Sequence, residues 1–456
     1  MSHPFRHTLV EAVNMFTVRN FVLVLLVLQS STTGSGQEPG NPLIEAWLTE
    51  NLPAVVGVYK ELHAAPELSL QEEKTATRMA DELRKIGAEV TTGIGGHGVV
   101  GVLKNGPGKA LMYRADMDAL PVTEQTGLPY ASQVKVTDDR GAVVGVMHAC
   151  GHDIHMASLI GVARLLAQHK DLWSGTVIFL CQPAEERGAG AEAMLNDGLL
   201  VRFPRPDFAV ALHVGAESPT GSVGVRSGYS MANVDSIDIT IKGRGGHGAY
   251  PETAIDPIVI AARLILDLQT IVSREIKPIE PAVITVGAIN GGTKHNIIPD
   301  DCKLQITVRS YSAEVRQQLW DAIRRKANAA AASSGAPEPE VEISEGTPSL
   351  YNDPALSERV AETLRKRLGA KQVESPDPSM GGEDFGRYGL AGVPICMFRL
   401  GSVPAARLDE FAAKKQPPPS LHSPLYYPEP ESTLRTGIVS MAAIVADLLP
   451  PQKASE

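Results

Sequence analysis

Asp235-Ser236-Ile237-Asp238-Ile239-Thr240-Ile241-Lys242-Gly243 is the stretch that decides the fold. Ile237, Ile239 and Ile241 fall on one face of a strand and Asp238, Thr240 and Lys242 on the other, because side chains alternate along extended backbone. Such alternation belongs to an antiparallel sheet with one face buried. It recurs at Lys303–Ser310, through Leu304, Ile306 and Val308. Around these strands lie a helical stretch from Asp256 to Val272, a strand at Ala282–Ala288, an Ala-rich helix from Ala313 to Ala332 and a strand at Glu340–Ser344. The order β-α-β-β-α-β is the split, ferredoxin-like unit. It predicts a small α+β domain over residues 230–345.

Outside that window the pattern changes. Ile44, Trp47, Leu48, Leu52, Val55, Val58 and Leu62 recur near helical spacing up to His63, with Pro53 expected to kink or restart the helix. Ser69-Leu70-Gln71-Glu72 reads as a capping box ahead of an apolar stripe at Ala76, Met79, Ala80, Leu83 and Ile86. Val99–Leu103, Leu111–Arg114, Thr176–Cys181 and Phe208–Leu212 read as buried strands, with a helix from His155 to Gln168. Further on come a helix at Pro354–Leu368, a strand at Val393–Arg399 and a last helix at Ser432–Leu449. Ala405–Pro419, charged and Pro-rich, reads as a loop. Strands alternating with helices imply an α/β sheet covered on both faces. The chain of 456 residues is also too long for one core. The expectation is a larger α/β domain in two parts, 43–229 and 346–450, into which the small domain is inserted.

Composition narrows the function classes. The chain is 43% hydrophobic and 21% charged, with a net charge of −10. It has no basic stripe, which argues against a nucleic-acid partner. Four scattered cysteines, Cys150, Cys181, Cys302 and Cys396, make no disulfide framework. Arg19-Asn20 precede the apolar run Phe21–Leu28, and the small, polar stretch Ser30–Gly36 follows. That is the layout of a cleavable export signal over residues 1–36, and the apolar run is too short to span a bilayer. The mature protein is expected to be secreted or periplasmic, with no membrane association after cleavage.

The chemistry concentrates in Met147-His148-Ala149-Cys150-Gly151-His152-Asp153. Cys150 and His152 can both bind a transition metal at neutral pH. Glu185-Glu186, His213 and His422 follow, each in a short run of turn-formers beside an apolar segment. Thiolate and imidazole mixed with carboxylate suit Zn, Mn, Co or Ni rather than Mg or Ca. Five such donors exceed what one tetrahedral ion needs, so two divalent ions per subunit are expected. Two ions plus a spare carboxylate can hydrolyse an amide with activated water.

Seven motifs occur in an order that resembles the M20 metallopeptidases. They are His148-Ala149-Cys150-Gly151-His152-Asp153, Gln182-Pro183-Ala184-Glu185-Glu186, Leu212-His213-Val214, Gly245-Gly246-His247-Gly248-Ala249-Tyr250-Pro251, His295-Asn296-Ile297-Ile298-Pro299-Asp300, Met380-Gly381-Gly382-Glu383-Asp384-Phe385 and His422-Ser423-Pro424. The likeness is to the amidohydrolase branch that includes hippurate hydrolase, N-acyl-amino-acid amidohydrolases and auxin-conjugate hydrolases. It implies a mixed-sheet, zinc-exopeptidase-like catalytic domain with an inserted dimerisation (lid) domain, and hence a homodimer. It implies Cys150, His152, Glu186, His213 and His422 as metal ligands and Glu185 as general base. Asp118 resembles an aspartate that orients a ligand, though a loop turn or cap explains it equally plainly. His247, alone a loop histidine, would stabilise the oxyanion in the partner subunit's site. Asn296 and Arg309 would grip the substrate carboxylate, and Arg309 also reads as a solvated strand residue. The implied substrate is a small N-acyl amino acid, hippurate-like or N-acetylated, or a short peptide. The rivals are a dipeptidase or aminopeptidase of the same family and a non-catalytic binding protein that keeps the fold.

Overall fold

The structure is a computed structural model that describes residues 41–138 and 141–452. The export signal expected over residues 1–36 lies outside the described residues.

An eight-stranded sheet organises the larger part of the molecule. Its strands run in the order Glu89–Ile94, Gly98–Asn105, Gly175–Gln182, Ala110–Asp116, Phe208–Pro219, Ile395–Val403, Val223–Val225, Val373–Glu374. The four from Gly175–Gln182 to Ile395–Val403 are mutually parallel, and antiparallel pairs flank them, so the sheet is mixed. Alternate residues feed two cores. Leu111, Tyr113, Val177 and Phe179 pack on one face, and Met112, Ile178, Leu180 and Ala209 on the other. Burial on both faces explains why these strands read as continuous apolar runs.

The helix Pro42–Ala64 is a single element, and Pro53 does not end it. Its stripe from Ile44 to Leu62 is buried in a core shared with the helices His152–Gln168 and Pro430–Leu448. Tertiary packing there outweighs the hydrogen bond that proline removes. Ala405–Pro419 departs from the loop expected of it, because Ala405–Ala413 is a helix with no buried residue. Pro404 precedes its first turn, and the other prolines cluster at 417–419. Averaging the whole segment hid a nine-residue run in which seven are good helix formers.

The small domain matches its expected order. Asn233–Lys242, Ala282–Gly291, Asp301–Ser310 and Glu340–Glu345 form an all-antiparallel four-stranded sheet, with Asp301–Ser310 and Asn233–Lys242 at its centre. Ile237 lies opposite Ile306 and Ile343, and Ile239 opposite Leu304 and Val341. These residues form a separate core with the helices Pro257–Thr270 and Ala313–Ala332. Gly228–Met231 pairs with Leu350–Asn352 where the chain leaves and re-enters the larger domain.

Candidate metal centre

The carboxyl ends of parallel strands are where open α/β sheets place their ligands. Four of them deliver chemistry here. Ala110–Asp116 ends in Arg114 and Asp116, Gly175–Gln182 runs into Glu185 and Glu186, and His213 and Arg399 stand side by side in register on neighbouring strands. The turn carrying Cys150 sits over them. Gly151, at φ +77°, ends that turn and precedes the helix His152–Gln168. A side chain at Gly151 would also come within 2.6 Å of Val214 Cγ2, so glycine is required on both counts. The helix begins three residues earlier than periodicity suggested, which makes His152 its first residue.

Cys150 lies at the meeting point of two donor groups. Its Sγ is 3.7 Å from His213 Nε2 and 3.3 Å from His422 Nε2. Cys150, His152 and His213 form one compact triad, and Cys150, Glu186 and His422 a second. Glu186 Oε1 is 3.9 Å from His152 Nε2 and 3.5 Å from His422 Nε2. The far ring nitrogens are occupied. His152 Nδ1 lies 2.8 Å from the Asp118 carbonyl and His213 Nδ1 2.9 Å from the Val214 carbonyl. A carbonyl only accepts, so both Nδ1 atoms carry a proton and both Nε2 atoms are left to face the cluster. His152 Nε2 and Glu186 Oε1 are buried without a hydrogen-bond partner among the described residues. Buried polar atoms are seldom left so. An orphaned imidazole nitrogen and an orphaned carboxylate oxygen beside a buried thiol fit divalent ions of intermediate softness.

Electrostatics point the same way. Burial and the nearby Glu186 push the Cys150 thiol up, although His152 opposes them. Burial raises Glu186 to about 7, against the pull of His152. Glu185 is raised well above the carboxylate range by burial and then by Glu383 and Glu186. Burial lowers His213, with Arg399 adding to it. These shifts describe a pocket short of positive charge, a deficit that bound cations would reverse. Backbone strain is concentrated in the same place. Ala184, just before the glutamate pair, and His422 adopt positive φ of 50° and 68°, a conformation that non-glycine residues keep only when their surroundings impose it. The His422 N–H donates to the Ala149 carbonyl at 2.9 Å, tying its loop to the Cys150 turn.

The capping box expected at Ser69–Glu72 serves the site instead of the helix. The helix Glu73–Lys85 has no side-chain cap. Ser69 Oγ donates to Asp118 Oδ2 at 2.6 Å, and Glu72 Oε1 accepts from the Ala184 N–H at 2.8 Å. Asp118 Oδ2 also accepts from the Glu186 N–H at 3.0 Å. Asp118 thus touches both His152 and Glu186 and holds them in place.

Below the cluster lies an ionic network that sequence reading missed. Arg114, 1% exposed, donates to Asp116, Glu383, Asp384 and Gln182. Asp116 Oδ1 also bonds His155 Nδ1, and His155 Nε2 accepts from the Val214 N–H. Both His155 nitrogens are therefore engaged, and His155 braces the site without facing it. His148 is buried and neutral, lowered to about 4 chiefly by burial. The detectable signal for this network was charged and amide residues closing apolar strands: Arg114 and Gln182.

The remaining expected residues lie on the small domain. His247 pairs with Ile297 on a two-stranded ribbon, and the Gly248 N–H donates to the Asn296 carbonyl. The ribbon brings His247 and Asn296 together, both exposed. His247 Nδ1 accepts from the Ala249 N–H and its ring stacks near Tyr250. Among the described residues it makes no hydrogen bond or ion pair to the cluster. Arg309 is half-buried and donates to the Met380 carbonyl at 2.7 Å, beside the loop that carries Glu383.

The profile of peptidase family M20/M25/M40 matches residues 112–416. The chain is 39% identical over 365 residues to an N-acetyl-L-cysteine deacetylase of Bacillus subtilis (strain 168), covering 78% of this chain and 83% of that protein. It is 38% identical over 353 residues to thermostable carboxypeptidase 1 of Saccharolobus solfataricus, covering 76% and 86%. Among solved structures, a Bacillus subtilis dinuclear metal binding peptidase superposes with a TM-score of 0.72 at 32% identity, covering 90% of this chain and all of that one.

Proposed function

The chain belongs to peptidase family M20/M25/M40, and from that premise we propose that it hydrolyses the amide bond of N-acyl amino acids to a carboxylic acid and a free amino acid. The observation that carries this reading is the pair of donor triads sharing Cys150, with Glu185 beside them. Cys150, His152 and His213 would hold one divalent ion, and Cys150, Glu186 and His422 the other. Ions bound there supply Lewis-acid polarisation of the scissile carbonyl and lower the pKa of water.

The chain's own groups do the rest. Glu185 is buried between Glu186 and the Glu383–Asp384 pair, an environment that raises its pKa. A raised carboxylate is suited to take a proton from water at neutral pH and return it to the departing amine. Asp118 orients His152 and Glu186. His247 reaches the site of a partner subunit in a homodimer and donates to the oxyanion. Asn296 and Arg309 approach the substrate carboxylate. The ions are drawn from Zn, Mn, Co and Ni, and the mature protein acts outside the cytoplasm.

A peptidase reading of the same site is favoured by the likeness to the carboxypeptidase. The two differ in what occupies the acyl side. Metal-loaded protein should be incubated with N-acetyl, N-benzoyl and dipeptide substrates and amine release followed. Faster release from the N-acyl amino acids is expected. Release from dipeptides alone selects the peptidase reading, and no release from any refutes both.

A further inference from the structure

Arg399 is the residue on which the structure says most beyond the metal centre. It sits in the strand Ile395–Val403, in direct register with His213 on the parallel neighbour Phe208–Pro219. Residues in register on adjacent strands project to the same face, so the Arg399 side chain shares the side on which His213 meets Cys150. Glu383 is the carboxylate that acts on it most strongly, Cys150 and Glu185 act on it as well, and it in turn acts on His213.

Its hydrogen bonding is sparse. A guanidinium offers five N–H donors in a planar fork. Among the described residues that of Arg399 has one hydrogen-bond partner, the Met231 thioether sulfur, 3.1 Å from Nη2. Sulfur is a weak acceptor. Arg114, two strands away in the same sheet, has three carboxylates and an amide. A half-buried cation with so weak a partner is costly unless something binds it. A planar fork is shaped for bidentate capture of a carboxylate.

The geometry points to Arg399 as a further residue that binds the substrate's free carboxylate, from the large domain and alongside Asn296 and Arg309 of the small one, and that selects acids over their neutral amides. This rests on the N-acyl amino acid reading and deepens it. An N-acyl amino acid carries one carboxylate, two bonds from the scissile nitrogen. Arg399, beside His213 and facing Cys150, stands where that group would lie once the scissile amide is at the metal cluster.

The test uses N-benzoylglycine and N-benzoylglycinamide as probes, with binding to the metal-loaded Glu185→Gln protein measured by calorimetry. The acid should bind more tightly than the amide. Adding Arg399→Met should reduce that preference by on the order of 10- to 100-fold, the worth of a charged hydrogen-bonded pair, and Arg399→Lys should retain part of it. With Glu185 intact, Arg399→Met should raise KM for the acid more than it lowers kcat. Metal content, measured on the same samples, should be unchanged. The proposal is overturned if the acid is not preferred, if Arg399→Met keeps the preference, if both probes weaken equally or neither binds, or if the variant loses metal. Wild-type protein that prefers the acid yet hydrolyses no amide would sink the hydrolase reading and leave the role of Arg399 standing.

Discussion

Arg114 and Cys150 are both buried, at 1% and 7% exposure, and lie within the same set of strand ends. Around Arg114 most of the buried charge is answered: Asp116, Glu383, Asp384 and Gln182 accept from its guanidinium, Asp116 is further bound by His155, and Glu383 Oε2 alone of these carboxylate oxygens lacks a partner among the described residues. Around Cys150, His152 Nε2 and Glu186 Oε1 have no partner among the described residues. A closed network is finished by the fold, and its worth is rigidity. An open one is finished by a ligand. Burial and charge are alike in the two regions, so how far hydrogen bonds answer the buried groups is what separates scaffold from site.

Glu185 belongs to both regions, grouping with His152 and Glu186 on one side and with Glu383 and Asp384 on the other. Glu185→Gln should therefore break catalysis alone. Turnover should fall by about 10²–10⁴-fold, with metal content and folding retained. Wild-type turnover in that variant removes Glu185 as the base.

The closed region should respond in stability. Arg114→Met leaves Asp116, Glu383 and Asp384 buried around an apolar side chain. Breaking a buried ion cluster from one side costs about 3–5 kcal/mol. Urea unfolding of the metal-free proteins checks this, and a change below about 1 kcal/mol would mean the network is not the scaffold described.

The open region is completed, in this account, by a second subunit as well as by ions. His247→Ala should lose about 10²–10³-fold in turnover with both metals bound, the cost of one oxyanion donor. Mixed with Glu185→Gln protein under conditions of subunit exchange, it should regain activity, because one site of the heterodimer has both groups. Demonstrated exchange with no recovery rules out action in trans.

A second closed cluster gives the smallest effect and a pH signature. His63 bonds Asp153 at 2.7 Å and Glu124 at 3.1 Å. Burial alone would lower its pKa, but these hydrogen bonds hold it at about 9 against an ordinary 6.5. A folded-state pKa above the unfolded one means the stabilisation is complete below about pH 6.5. It is lost as pH rises through about 9, and amounts to at most about 3 kcal/mol. His63→Gln should flatten stability across that window in metal-free protein, and equal slopes in both proteins would contradict the assignment.

The sequence was most legible where periodicity and burial coincide. The alternation at Asp235–Gly243 and Lys303–Ser310 foretold the small sheet because one of its faces packs on helices and the other does not. The five donors were legible because soft side chains stood in turn-rich runs after apolar strands. Contacts between distant residues were not. Ser69 and Glu72 matched a capping signature, yet they bond Asp118 and Ala184, which local spacing cannot reveal. Arg399 was read only as the end of a strand, since its meaning depends on the register that sets it beside His213. His247 and Asn296 share a ribbon, but the path proposed for them to a site runs through a second subunit, which one chain's sequence cannot reveal.

The claim beneath all of this is that the Cys150 cluster is open because it holds ions. Elemental analysis by mass spectrometry, on wild type and Cys150→Ala, tests it most directly. The account predicts two divalent ions per wild-type subunit and a loss of at least one in Cys150→Ala, because the thiol is common to both triads. Two ions held with unaltered affinity after Cys150 is removed would contradict it.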